Sequence, residues 1–415
     1  MSNINWEEVR KKEYPALDNN LVFLDASCVS LIPERTRRAI IDFTEYCTRN
    51  DEINSSAHHI NMDQRRDKAY KEAAKLLNAD IEEIALVEST THGLNIAATS
   101  LELKSGDNIL TTNLEFIQVA MPWCAQRSRK GFEIRVVKTK DNRFIVEDFK
   151  KAADANTRMI VISSVEWCNG WRMNLKEIGD YCKSNGIYLV VDSVQEMGVC
   201  NMDTKKFHVD ILTAGGHKWL NSPFGTGVLY INKELVNKID PVFWGYLNSE
   251  VPEGGWGAYW ENPGSQSVSN WKFVKNARRF EIGGTSNYPG AIALGESLGL
   301  VNELGIKNVE EHVLNLGDYC MEKMEELGGT IITHKERERR AGIVIFRLYH
   351  DTKKDLEILK RLHAQRILIA QRFTDYVGGY RVSCQYYNLK KDIDALANAL
   401  KPIVAELGKP DYRKE

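Results

Sequence analysis

Nowhere does the 415-residue chain hold a run of about 20 apolar residues, so no segment reads as a membrane-spanning helix. Long basic runs and alternating aromatic and basic residues are also missing, and the formal net charge is −2, so nothing favours a nucleic-acid partner. The first stretch, MSNINWEEVRKKEYPALDNN, lacks the apolar centre of a secretory signal. Cysteine is present 8 times but never in C-x-x-C or Cys/His spacing, which argues against a zinc site and against a disulfide framework. Free thiols in a reducing compartment, the cytoplasm, are the expectation, with no metal and no membrane partner.

What is there is ordinary for a globular protein: 43% hydrophobic and 27% charged residues. The length exceeds what one core usually supports, so two domains are expected. Short β-branched runs, DNILTT (107–112), RMIVISSV (158–165), IYLVVD (187–192) and VDILTAGG (209–216), alternate with helical patterns such as MNLKEIGDYCKSNG (173–186), which closes on a capping glycine. Such alternation predicts an α/β domain with a mostly parallel sheet, whose ligands gather at the carboxyl ends of the strands. Residues 244–271, rich in Gly, Pro, Ser and Trp, read as a long loop. From about residue 290, two helical stretches, strands around GIVIFRL, RILIA and YRVS, and a last helix form a smaller α+β domain. The division is therefore 1–20 as a segment packing with the small domain, 21–289 as the large domain and 290–415 as the small one.

One lysine stands between glycine-rich turns in AGGHKWLNSPFGTG: Lys218. Upstream, LVVDSVQ carries Asp192 to the end of an apolar strand, with Gln195 three positions on. A carboxylate there is costly unless it meets a cation or a donor. ESTTHGLN sets Ser89, Thr90, Thr91 and Gly93 where a helix begins, and hydroxyls with free N–H groups at a helix N-terminus suit an anion. RRFEIGGTSN places Gly283, Gly284 and Thr285 before another helix, a second candidate phosphate contact. Each feature alone has a plain structural reading as a cap or turn. Together they are the parts needed for pyridoxal 5′-phosphate: an anion cradle, a carboxylate to keep the ring nitrogen protonated, and a lysine for the Schiff base.

These stretches also carry a resemblance. The chain is similar over nearly its whole length to fold-type I pyridoxal-phosphate enzymes of the class V aminotransferase family. That family includes cysteine desulfurases, C–S lyases and isopenicillin N epimerase-like proteins. YLVVDSVQEMG resembles its V-D-x-x-Q, GGHKWL its G-H-K, STTHGLN its T-T-x-G-h-N, RRFEIGGTSN its R-F-E-x-G-T-x-N, and YRVSCQYYNLKKDIDAL its carboxylate-binding arginine segment. The resemblance implies that Lys218 forms the Schiff base, Asp192 pairs with the ring nitrogen and Gln195 approaches the phenolic oxygen. It further implies that His217 and Thr90–Thr91 contact phosphate, that Thr285 beside Gly284 completes the partner's phosphate site in a homodimer, and that Arg381 holds the substrate carboxylate. His217 also reads as a packed core residue, and Arg372 as either a second carboxylate contact or a surface side chain.

Phe116 falls where relatives place the residue that stacks on the cofactor, a place usually held by histidine in the desulfurases; plain core packing is the other reading. Trp167 and Asn169, at a strand's carboxyl end, are candidates to line the substrate pocket, and Trp167 again reads equally well as core. The desulfurases carry a nucleophilic cysteine on a loop shortly before the carboxylate-binding arginine. Here that stretch, AQRFTDYVGGY, has none, which disfavours persulfide-forming desulfuration. The expected activity is therefore transamination or β-elimination of an amino acid. Epimerisation or a non-catalytic cofactor-binding role are the alternatives.

Overall fold

The computed structural model describes residues 4–413. Its strands, in chain order, are β1 (Val22–Phe23), β2 (Ile84–Val87), β3 (Asn108–Thr112), β4 (Glu133–Val137), β5 (Thr157–Ser163), β6 (Tyr188–Asp192), β7 (Ile211–Gly215) and β8 (Gly227–Ile231). They are followed by β9 (Thr330–Ile331), β10 (Ile343–Arg347), β11 (Ile367–Leu368), β12 (Ala370–Thr374) and β13 (Val377–Ser383). A seven-stranded sheet has the order β2-β8-β7-β6-β5-β3-β4. From β7 through β4 all neighbours are parallel, while β8 and β2 add an antiparallel edge. Helices cover both faces, so strands such as β6 (YLVVD) and β7 (ILTAG) are buried almost throughout and need no polar alternation. This is the expected α/β architecture with a mostly parallel central sheet.

A second, four-stranded antiparallel sheet, β12-β13-β10-β9, lies in the C-terminal part over its own apolar core. RILIA is divided between two partners: β11 pairs in parallel with β1, and β12 joins β13. The first helix, Trp6–Glu13, is fastened to the C-terminal region by the Arg10–Asp392 ion pair at 2.5 Å and by Trp6 stacked on His312 at 4.2 Å. The glycine at 186 ends its helix in the left-handed region, φ 65°, with its N–H on Cys182 O.

Two stretches read as loops are ordered otherwise. Residues 244–271 contain a helical turn, Gly255–Glu261. It puts Trp256 and Trp260 one turn apart, stacked at 5.7 Å, and Trp256 also meets Trp271 at 6.1 Å. Aromatic packing here overrides the glycines and proline. AQRFTDYVGGY is a hairpin, β12–β13, whose turn residues Asp375 and Tyr376 have φ of 46° and 63°, the two positive values that a tight hairpin turn matched to strand twist demands. His58 and His59 lie on the helix Ser55–Gln64.

One close approach fixes the helix Thr90–Ser100 against the sheet. A Cβ on Gly93 would come within 2.1 Å of Thr213 Oγ1 on β7, which no rotamer of a residue inside a fully buried strand relieves. Gly93→Ala should therefore cost about 1–3 kcal/mol through overpacking and should weaken cofactor binding, because the same helix presents Thr90. Unchanged denaturation midpoint and cofactor affinity would show that the helix is free to shift.

Candidate active site

The carboxyl ends of β5, β6 and β7 converge on one place. β7 ends at Gly215, whose N–H donates to Thr90 Oγ1 at 2.8 Å, so the strand is tied to the N-terminus of the Thr90–Ser100 helix. A Cβ at 215 would sit tightly, 3.0 Å from Thr90 Oγ1 and 3.1 Å from His217 Nδ1, so glycine lets these two side chains close on the strand end. The chain then turns tightly: Ser222 N–H donates to Gly216 O at 2.8 Å and Asn221 N–H to Lys218 O at 3.0 Å, holding Lys218 out over the strand ends.

Lys218 is partly buried and its amine has no hydrogen bond or ion pair among the described residues. Burial pulls it below the ordinary lysine range; Asp192 opposes this and Arg381 adds to it. Its Nζ lies 5.7 Å from the centroid of the Phe116 ring. Phe116 is 40% exposed and edge-on to Trp167 at 5.2 Å, so it is not core. Trp167 is fixed by its Nε1–H on Leu114 O at 3.1 Å.

Asp192 ends β6. Its carboxyl is pushed up to about 6 by burial, against the N–H of Val194 at 2.9 Å and the charge of Lys218. Gln195 is held by both ends of its amide: Oε1 accepts from Trp219 Nε1 at 2.7 Å and Nε2 donates to Ser27 O at 3.3 Å. Burial, with help from Lys218, lowers His217 to about 4, so its ring is neutral at pH 7, stacked on Phe224 at 4.9 Å. At the helix start Ser89 serves as the N-cap, taking the N–H of His92 at 3.1 Å. Thr90 spends only its acceptor, so its hydroxyl proton is free for an anion; Thr91 is exposed at the same end.

Arg381, on β13, is buried with 2% exposure. It donates to Asp25 Oδ1 at 3.1 Å and Trp167 O at 3.4 Å, and its Nε has no partner among the described residues. Arg372 stands on the neighbouring strand, its Nη2 3.9 Å from Cys28 Sγ. Both guanidiniums act on Asp25, so both belong to the same polar cluster. Gly284 and exposed Thr285 lie apart from it; their loop is tethered by Asn287 Nδ2 donating to Gly225 O at 2.7 Å. Asn169 does not face the cleft as a free amide. Its Nδ2 donates to Asn142 O at 2.8 Å and its Oδ1 accepts from Trp171 N–H at 2.9 Å, which makes it a clamp on two loops.

The sequence reading passed over Asp25, Cys28, Glu115 and Glu166. Asp25 follows a short strand just as Asp192 does, and that repeat of pattern was the available signal. Glu115 and Glu166 are buried carboxyls next to Asp192, both raised by burial. Ser163 bonds Glu115 through its N–H and hydroxyl, and Thr112 donates to Glu166 at 2.7 Å.

These residues fit pyridoxal phosphate. An amine without a hydrogen-bond partner, a buried strand-end acid pushed up to about 6 by burial, an exposed aromatic ring near the amine and a helix N-terminus with a hydroxyl donor meet at the carboxyl ends of the strands. The chemistry of the donor set, neutral His217 included, matches a phosphorylated, protonated pyridine.

A family model described as aminotransferase class-V matches residues 22–396. A probable cysteine desulfurase of Pyrococcus abyssi is 27% identical over 414 residues, covering 97% of this chain and 98% of that protein. An uncharacterized aminotransferase of Schizosaccharomyces pombe is 28% identical over 342 residues, 81% and 82% of the two chains. Among solved structures, the apo cysteine desulfurase of Thermococcus onnurineus NA1 superposes with a TM-score of 0.83 at 23% identity, covering 96% and 98%. The cystine C–S lyase C-DES, in complex with cysteine persulfide, gives 0.81 at 23%, covering 94% and 99%. At these identities the superpositions establish the fold.

The acid at 192 makes stability depend on pH. Its folded value of about 6 lies above the ordinary 3.8, so the contribution is fully present below 3.8 and is lost as pH rises through 6. In the cofactor-free chain that loss amounts to on the order of 3 kcal/mol. Asp192→Asn should remove it, so the urea midpoints of parent and variant should diverge between about pH 4 and about pH 6. Parallel profiles over that window would mean that the carboxyl ionises without strain.

Proposed function

Because the chain belongs to the class V aminotransferase family and is a pyridoxal-phosphate-dependent enzyme acting at the α-carbon of an amino acid, we propose that it cleaves the C–S bond of a sulfur-containing amino acid. The observation that carries the α-carbon chemistry is the partnerless, desolvated Lys218 amine between Asp192 and Phe116. Choice of a sulfur substrate is supported by relatives named as cysteine desulfurases along nearly the full length. Transamination is the second reading, favoured by the yeast relative's name.

When bound, the cofactor supplies an electron sink that acidifies the Cα–H bond of an attached amino acid. The protein's own groups do the rest. Asp192 would hold a proton on the pyridine nitrogen, and the Thr90 hydroxyl with the helix N-terminus would hold the phosphate, with His217 as a neutral ring beside Lys218. Phe116 would supply the aromatic wall against which the ring rests, and Gln195 would be a neighbouring polar group. Arg381 presents a planar fork suited to a carboxylate; its pairing with Asp25 sets the orientation of that fork before substrate arrives. Lys218, its basicity lowered by burial, takes the Cα proton and passes one to the departing sulfur.

The assembly we infer is a homodimer, in which the exposed Thr285 reaches the partner's phosphate site; the free thiols support a cytoplasmic setting. Thr285→Ala should then loosen cofactor binding several-fold without changing the fold of the isolated chain, as read by titrating the visible absorbance. Equal affinity in parent and variant would break the contact across the dimer.

The central experiment is an absorbance scan with a panel of amino acids, in the parent and in Lys218→Ala. The parent should be yellow and should cleave the C–S bond of cysteine or cystine, giving a keto acid, or alanine where a protein thiol accepts the sulfur, with the band returning unaided; the variant should lack both band and turnover. A band bleached by the amino acid and restored only by a keto acid would replace elimination by transamination. Return of the band with neither product would favour epimerisation, and absence of any turnover a binding role.

A further inference from the structure

The desulfurase route lost its support in the sequence because residues 371–380 contain no cysteine. The fold brings one from elsewhere. Cys28 lies on the turn that follows β1, and that turn is bolted into the active site from three sides. Ser30 N–H donates to the carbonyl of His217, the residue before Lys218, at 2.8 Å. Gln195 Nε2 donates to Ser27 O at 3.3 Å, and the hydroxyls of Ser27 and Ser383 are bonded at 2.8 Å beside Arg381. The Cys28 thiol is exposed and acts electrostatically on both Lys218 and Arg381. Arg372 Nη2 is 3.9 Å from its sulfur, so negative charge developing there has a cation beside it. In the same cluster, buried Arg381 keeps its Nε without a partner among the described residues, a donor awaiting an anionic group. The other exposed thiols, Cys47 and Cys124, have no part in this cluster.

We propose that Cys28 is the sulfur-accepting nucleophile of this enzyme; this rests on the C–S cleavage reading above. With cysteine as substrate, the Cys28 sulfur attacks the substrate sulfur, an S–S bond forms and the Cβ–S bond breaks. The bonding pair stays with the substrate carbon skeleton, and Cβ gains a proton, giving alanine. Cys28 loses its thiol proton and carries the extra sulfur as a persulfide. The carbon is reduced and the sulfur oxidised within one exchange, so no outside oxidant is needed. Two added thiols, or one dithiol such as dithiothreitol, then release the sulfur as sulfide and restore Cys28, and are themselves oxidised to the disulfide. Arg372 positions the thiol and offsets its charge; Arg381 holds the carboxylate.

The test uses the cofactor-loaded enzyme with L-cysteine, without and with dithiothreitol, quantifying alanine and pyruvate and weighing the peptide that contains Cys28. The parent should form about one equivalent of alanine per site before added thiol, and its Cys28 peptide should gain the mass of one sulfur. Cys28→Ser should lower alanine at least roughly tenfold and shift the product to pyruvate and sulfide, while Cys47→Ser and Cys124→Ser behave as the parent. Arg372→Gln should slow alanine formation with its visible band intact. A parent that yields pyruvate and sulfide, or a sulfur-free Cys28 peptide beside abundant alanine, would overturn the role of Cys28 and leave C–S cleavage standing. A parent that leaves cysteine and cystine uncleaved would remove both.

Discussion

Everything at this site depends on keeping an amine and a carboxylate out of water at the ends of adjacent parallel strands. Lys218 and Asp192 oppose each other's desolvation: burial pushes the lysine down and the acid up, and each pulls the other back. Neither makes a direct ion pair, so the opposition is incomplete. The incompleteness leaves both groups free to engage a third charged group. A tight salt bridge would have spent the amine's nucleophilicity; full separation would have left an isolated buried charge, which is costlier still.

The surrounding carboxyls are arranged to leave that balance alone. Glu115 lies close enough to raise Glu166, and both feel Asp192. Burial holds them toward their neutral forms, and their partners are hydroxyls and an N–H instead of cations. As neutral acids they add no repulsion to Asp192. Each also precedes a ring of the cleft wall, Phe116 and Trp167, so hydrogen bonds made inside the sheet set where those rings stand.

Local signals made the sheet, the capped helices and Lys218 legible from the sequence, because apolar runs, glycine turns and caps act over a few residues. Residues 244–271 misled because glycine and proline mark turns only when packing does not outweigh them, and tryptophans one helical turn apart did. Asn169 misled in a different way. Its place at a strand's carboxyl end was right, but both faces of its amide were taken by backbone of loops that only the folded chain brings near. Arg381 was legible through its motif alone, and its pairing with Asp25 was not, since those residues meet across a bridge between β13 and the turn after β1.

The hairpin at 370–383 bears on which reaction the site can run. A mobile loop can carry a nucleophile in and out of a cleft; a paired hairpin with its turn residues locked at positive φ holds its side chains in register with β10. Any group that receives the substrate's sulfur must then already stand at the cleft. The turn from Asp25 to Ser30 meets that requirement, because its hydrogen bonds to His217, Gln195 and Ser383 fix it to the turn that carries Lys218 and to the arginine strand together. A preformed acceptor pays less ordering entropy at the moment of transfer than a closing loop does. It also stays exposed to outside thiols, which must reach it to complete a cycle.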